Sequence, residues 1–113
     1  MKRVLFGILS IAFILVINAC SSDSVDPTFR ILNQRSNKAN VQIQTSGGNT
    51  ININDVLPGQ TTAYQSAPEG TIVAKAVIQN ESVTPEKSFF AGKNTRSTVV
   101  IESDSIPTLR IDQ

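Results

Sequence analysis

The sequence predicts a small all-β domain, an antiparallel β-sandwich of about seven or eight short strands. Apolar and polar residues alternate with a period of two from Thr28 onward, and turn residues separate the alternating stretches about every ten residues. No helical period of convincing length follows Cys20. The chain has 113 residues, which is at most one ordinary domain.

The first 19 residues are predicted to be a cleaved signal peptide. Lys2 and Arg3 precede residues 4–17, an apolar run of 14 residues. A membrane-spanning helix needs about 20 apolar residues, so an uncleaved membrane anchor is the less favoured alternative. The cut is expected between Ala19 and Cys20, where the apolar run ends.

Cys20 is the only cysteine of the chain, so a disulfide within the chain is excluded. Residues 17–20, Ile-Asn-Ala-Cys, resemble the bacterial lipobox, although Asn18 departs from its usual small residue. The resemblance implies that Cys20 becomes the mature N-terminus and carries a diacylglyceryl group, often with a further acyl chain such as palmitate. Two or three acyl chains make a durable membrane anchor. An intermolecular disulfide and a free thiol are the alternatives.

The predicted anchor places the protein in the bacterial cell envelope. Ser21 resembles the residue that follows the cysteine in lipoproteins sent on to the outer membrane, whereas Asp would suggest retention at the inner membrane. Residues 20–27 are expected to form the lipidated N-terminus and a short disordered tether. They lack apolar periodicity and end in a proline.

The charge of the mature chain argues against nucleic acid as a partner. Removal of residues 1–19 leaves 8 of the 10 basic side chains and all 9 acidic ones, for a formal net charge of −1. No basic stripe remains, so the chain lacks the electrostatic footprint of a nucleic-acid-binding protein.

Residues 28–113 are predicted to be the β-sandwich domain, and their clearest feature is a hairpin. Residues 40–45 (NVQIQT) and 49–54 (NTININ) both alternate apolar and polar side chains, which indicates two half-buried strands. Residues 46–48, Ser-Gly-Gly, lie between them and supply the positive φ that a tight turn requires.

The remaining strands follow in order. Pro58-Gly59 predicts a type II turn, and residues 61–66 predict a strand with Thr62 and Tyr64 on one face. Residues 71–79 form the longest strand candidate, with Ile72, Ala74, Ala76 and Ile78 on the face toward the core. Three further strands are predicted in residues 86–90, 96–103 and 106–112, the last tolerating Pro107 as an edge strand.

The predicted core is small, in keeping with a domain that folds alone without disulfides. It is formed by one apolar face of each strand, and Leu57 and Tyr64 are expected to close its ends. Its members are Phe29, Ile31, Val41, Ile43, Ile51, Ile53, Ile72, Phe89, Val99, Ile101, Leu109 and Ile111.

Residues 29–112 resemble a bacterial domain family of unknown function. The resemblance is carried by RILN leading into ANVQIQTSGG, by LPGQTTAY, by PEGTIVAKA and by AGKNTRSTVVI. It implies an immunoglobulin-like or transthyretin-like sandwich of the kind found in envelope proteins, here in one copy. Gln42 and Gln44 stand where the family often has Asp and Val, so no acidic site carries over, and the family implies no catalytic residues.

The sequence contains no recognisable set of catalytic residues, so the chain is predicted not to be an enzyme and to need no cofactor. There is no histidine, no Ser in a nucleophile elbow and no glycine-rich phosphate loop. Residues 52–55 (NIND), with Asp104 on another loop, offer oxygen ligands that would suit calcium. The favoured interpretation is that they begin the turn before Pro58-Gly59, so no metal is predicted.

The predicted function is that of a non-catalytic envelope lipoprotein whose sandwich serves as a binding or structural module. Its expected partners are membrane lipid, through acylated Cys20, and an envelope protein or a second copy of the chain. Phe90, on the opposite face from Phe89, is a candidate partner contact. Asn52 and Asn54 are two more, because residues 40–45 and 49–54 lack the Lys and Pro that guard edge strands. The favoured interpretation places both stretches inside a sheet; the alternative makes one of them an edge.

A second predicted function is that of a small lipoprotein inhibitor of a periplasmic or host hydrolase. Known lipoprotein inhibitors of lysozyme are similarly small and β-rich, and present one protruding loop with a charged tip. Residues 33–40, which contain Arg35 and Lys38, are the candidate for such a loop.

Overall fold

The computed structural model describes residues 24–113, which form a sandwich of two four-stranded sheets. This confirms the predicted all-β sandwich. No helix in the described residues is long and apolar enough to cross a membrane. The predicted signal peptide, its cleavage site and Cys20 lie outside the described residues. The strands are β1 (Thr28–Asn33), β2 (Ala39–Gln44), β3 (Thr50–Val56), β4 (Gln65–Ser66), β5 (Gly70–Ile78), β6 (Glu86–Ala91), β7 (Arg96–Ile101) and β8 (Leu109–Asp112).

The first sheet has the strand order β4-β1-β7-β8 and the second has the order β3-β2-β5-β6. Every pair of neighbours is antiparallel, as predicted, except β1 and β7. These two run parallel over six residues, from Thr28 opposite Arg96 to Asn33 opposite Ile101. The first sheet is therefore mixed, and the second sheet is wholly antiparallel.

The predicted hairpin joins β2 to β3. Its register pairs Ile43 with Ile51, and the Thr45 N–H donates to the Asn49 carbonyl at 2.8 Å. Gly48 has φ 92° and donates its N–H back to Thr45 at 3.0 Å. A three-residue loop that ends in a left-handed glycine fits the twist of the flanking strands, which confirms the role expected of this turn.

The core lies between the sheets and contains most of the predicted residues. Ile51, Phe89 and Ile111 are half-buried at its margin. Leu57 and Tyr64 are exposed, so the prediction that they close the ends of the core is wrong. Tyr64 instead lies beneath the guanidinium groups of Arg30 and Arg96, 4.7 Å and 5.4 Å from its ring centroid.

Tyr64 is exposed because the chain crosses from the second sheet to the first in residues 57–66. Within the predicted strand of residues 61–66, only Gln65–Ser66 and a single bridge from Thr61 to Leu32 have strand pairing. Thr62 accepts the Ile31 N–H on its hydroxyl at 3.0 Å and donates its own N–H to the Ile31 carbonyl at 2.9 Å. The Thr62 hydroxyl thus replaces one of the backbone hydrogen bonds that a regular strand at residues 61–66 would make with β1.

The residues just before β1 are hydrogen-bonded to the sandwich. The Val25 N–H donates to the Asn94 side chain and its carbonyl accepts the Asn94 N–H, both at 2.8 Å. Lys93 pairs with Asp26, and this hydrogen bond raises the pKa of Lys93. Pro27 is buried. The prediction of a disordered tether is therefore wrong for residues 25–27, which are fixed to the turn between β6 and β7.

Candidate functional site

β3 lies at an edge of the second sheet, so one side of its backbone has no neighbouring strand within residues 24–113. Hydrogen-bonded pairs alternate along an antiparallel ladder. Thr45 and Asn49 form a hydrogen-bonded pair at the start of the ladder, so the alternation places Thr50, Asn52 and Asn54 in non-hydrogen-bonded pairs with β2. The N–H and C=O groups of these three residues therefore point away from β2. Among the described residues, the favoured interpretation of residues 49–54 as an internal strand is wrong, whereas β2, which contains residues 40–44, is internal as expected.

The side chains of this edge carry no charge from Thr50 to Asn54. Asn52 and Asn54 are exposed on the outer face of the sheet, while Ile53 is buried and Ile51 is half-buried toward the core. We call residues 50–54 the open edge. It combines backbone groups that have no partner in the described part of the chain, short polar side chains and one partly covered isoleucine. These are the features that a second strand needs in order to add to a sheet.

Asp55, the residue that follows the open edge, has φ 57°. The register between β2 and β3 shifts here, between Ala39 and Val41. The Asp55 N–H donates to the Asn40 side chain at 2.8 Å, and its carboxylate lies 3.4 Å from the Lys38 ammonium. A bulge and a charge protect an edge against further pairing, so the part available to a partner is limited to the open edge.

The other three edges of the described sandwich are short or guarded by charge. β4 has two residues, and β6 carries Glu86 and Lys87. At β8, Arg110 donates two hydrogen bonds to Asp112, which lowers the pKa of the Asp112 carboxyl. Charged side chains of this kind discourage edge-to-edge pairing, and β3 differs from β6 and β8 in lacking them along residues 50–54.

Phe90 is 61% exposed on the outer face of β6, while Phe89 packs against the core. β6 and β3 are the opposite edges of the same sheet, separated by three strand spacings of ~4.8 Å. The predicted partner residues therefore form two sites and not one. The Phe90 carbonyl accepts a hydrogen bond from the Gln113 side chain at 3.1 Å, which covers part of that edge.

The loop between β1 and β2 does not present Arg35 as a charged tip. The Arg35 side chain is 11% exposed and forms a two-pronged ion pair with Glu81, which is 18% exposed. It also donates to the carbonyls of Glu102 and Asp104. Lys38 remains exposed but pairs with Asp55. Arg35 thus links its own loop to the β5–β6 and β7–β8 loops. The sequence did not predict this role.

Asn33 is buried at the same end of the sandwich as Arg35, and its side chain is fully hydrogen-bonded there. Its side-chain N–H groups donate to the carbonyls of Asn37 and Val56 at 2.9 Å and 3.0 Å, and its oxygen accepts the Arg35 N–H at 2.9 Å. Its carbonyl accepts the Gly59 N–H at 2.7 Å. These contacts leave no buried side-chain N or O atom without a partner in the described part of the chain.

The residues considered for calcium do not come together as a ligand set. Asn52 and Asn54 share the outer face of the sheet, whereas Asp55 turns to Lys38. Asp104 lies in the loop before β8, beside Arg35. Residues 24–113 contain no group of three or more His, Cys, Asp or Glu side chains that could hold a metal ion.

Comparison with known proteins bears on the fold alone. No protein family and no curated protein matches the chain. The chain is similar to the NMR structure of a protein from Eubacterium rectale, with a TM-score of 0.59 and 17% sequence identity. The match covers 81% of this chain and 91% of the other. At that identity the likeness extends to the sandwich and not to a function.

Proposed function

We propose that this chain is a non-catalytic lipoprotein of the bacterial cell envelope that binds a protein partner at the open edge. The observation that carries the binding role is the uncharged edge at residues 50–54, whose outward backbone groups have no partner among residues 24–113. Unguarded edges recruit other strands, and the addition of a strand to a sheet is a recurring mode of recognition.

The lipid anchor is supported by the sequence Ile-Asn-Ala-Cys at residues 17–20 and by the small number of residues between Cys20 and Val25. Val25 is fixed to Asn94, at the turn before β7. The five residues from Cys20 to Val25 reach at most ~18 Å. An acylated Cys20 would therefore hold this end of the sandwich close to the lipid headgroups, and Ser21 favours the outer membrane.

The anchor predicts that Cys20→Ser releases the protein from the membrane. The full chain is expressed in a bacterium with two membranes, and wild type is expected in the detergent phase with the added mass of its acyl groups. The variant is expected to lose that mass and to leave the membrane fraction, because the acyl chains on Cys20 are the proposed anchor. Equal membrane binding by Cys20→Ser would instead favour an uncleaved apolar anchor.

The open edge predicts that lysines at Asn52 and Asn54 abolish association. Wild type is expected to give a cross-linked species on whole cells, and Asn52→Lys with Asn54→Lys is expected to remove it, because two charges would oppose an incoming strand. The control is Gln44→Lys with Val77→Lys, which adds the same charge to the same outer face on internal strands β2 and β5.

Both pairs of substitutions lie on an exposed face, so thermal unfolding is expected to remain unchanged. Loss of cross-links in both variants would assign binding to the outer face of the sheet and not to its edge. Persistence of cross-links in the β3 variant would contradict binding at the open edge.

A further inference from the structure

We infer that the partner at the open edge is a second copy of this chain, paired antiparallel about a twofold axis that passes midway between the two copies of Asn52. This inference rests on the proposed binding role of the open edge. It follows from the backbone direction and the order of the side chains along residues 50–54, and from the position of the charge that follows them at Asp55.

The backbone groups suit a twofold pairing centred on Asn52. Thr50, Asn52 and Asn54 direct their N–H and C=O groups outward. With Asn52 opposite Asn52 of the second copy, Thr50 lies opposite Asn54 of the second copy, and the reverse. All three are then hydrogen-bonded pairs, which exchange about six backbone hydrogen bonds. A twofold interface requires this kind of self-complementarity.

The side chains match in the same register. On the outer face, Asn52 meets its own copy and Thr50 meets Asn54, so that uncharged hydrogen-bonding groups face each other. On the inner face, half-buried Ile51 meets Ile53 of the second copy in a non-hydrogen-bonded pair, where side chains approach most closely. The second copy would therefore cover the one core residue that the open edge leaves half-exposed.

Other registers are less favourable. A shift of one residue would bring inward isoleucines opposite outward asparagines. A shift of two residues toward the end of β3 would place Asp55 opposite Ile51, which puts a charge against the core margin. A shift of two residues the other way would pair the hairpin turn, where Gly48 has φ 92°, with Asn54. The register centred on Asn52 alone pairs all five residues of the open edge.

The geometry is compatible with two chains anchored in one membrane. Opposed residues of an antiparallel pair lie on the same face of the sheet, so the twofold axis is perpendicular to it. The first sheet of each copy then faces the same side, and Val25 precedes β1 of that sheet in both. Both N-termini can thus reach one membrane. A five-residue edge is small for a stable interface, and confinement to a membrane supplies the high effective concentration that such a contact needs.

The test uses single cysteines in the full chain, expressed and oxidised in bacterial membranes. Opposed residues of a hydrogen-bonded pair have their Cα atoms about 5.5 Å apart, within the roughly 4.4–6.8 Å that a disulfide spans. Asn52→Cys is therefore expected to form a disulfide-linked dimer. Thr50→Cys is the matched control, because four strand residues would separate the two copies of that cysteine by about 14 Å.

Thr50→Cys is expected to give no more dimer than the unsubstituted chain, which measures any disulfide through Cys20. Thr50→Cys combined with Asn54→Cys is expected to restore the dimer, without any change at Asn52. Equal dimer from Asn52→Cys and Thr50→Cys would indicate random collision and would overturn the inference, as would the absence of dimer from both Asn52→Cys and the paired variant.

Failure of this inference is distinguishable from failure of the proposed function. If the lysine variants at Asn52 and Asn54 lose a cross-linked species that contains a different protein, and Asn52→Cys forms no dimer, binding at the open edge stands and the second copy is wrong. If the lysines change nothing and the cysteines form no dimer, both are wrong.

Discussion

Replacement of Ile43 by aspartate is expected to abolish cooperative unfolding of the domain. Ile43 lies on β2 in the middle of the second sheet, opposite Ile51 and Ala74, and is fully buried. An unpaired charge at such a site costs several kcal/mol, a large part of the roughly 5–15 kcal/mol by which a domain is stable. Far-UV circular dichroism of residues 21–113 during heating measures the effect as loss of the sigmoidal transition.

Gln42→Asp is the matched control for this prediction. Gln42 precedes Ile43 on the same strand, but its side chain is exposed on the outer face, opposite Lys75. The same new charge is expected to change the stability by no more than about 0.5 kcal/mol. Equal damage from the two substitutions would show that the inward face of β2 has been assigned incorrectly.

The two-residue period predicted most of the fold because it reports which side of a strand is buried. Val41 and Ile43 are buried while Gln42 between them is exposed, as the alternation indicates. The parallel pairing of β1 with β7 could not be predicted in this way. Periodicity describes each strand by itself, whereas strand order depends on contacts between residues far apart in the chain.

The same distinction explains what could be predicted of the candidate site. The absence of charge in residues 40–45 and 49–54 is visible in the sequence, but only the topology decides that β2 has two neighbours and β3 one. Likewise, the polar composition of residues 33–40 suggests a solvated loop. Arg35 is instead largely covered and paired with Glu81, 46 residues further along the chain, and no local signal identifies such a partner.

The ion pair of Arg35 leads to a second prediction, that Arg35→Ala lowers the free energy of unfolding by about 2–4 kcal/mol. The substitution leaves the Glu81 carboxylate largely buried without its cation, and it leaves the carbonyls of Glu102 and Asp104 without their donor. Denaturant-induced unfolding of residues 21–113 measures the change. Arg35→Lys is expected to restore only part of the loss, because an ammonium cannot reproduce the two-pronged contact.

Lys38→Ala provides the control within the same loop, because it removes one cation from an exposed pair with Asp55 at 3.4 Å. Exposed pairs of this kind contribute about 0–1 kcal/mol, so this variant is expected to unfold almost as wild type does. Arg35 and Glu81 are also expected to be coupled: the double variant Arg35→Ala with Glu81→Ala should be less destabilised than the two single losses combined. If Arg35→Ala cost no more than Lys38→Ala, Arg35 would not be what holds these three loops together, and its burial would be incidental to the stability of this end of the sandwich.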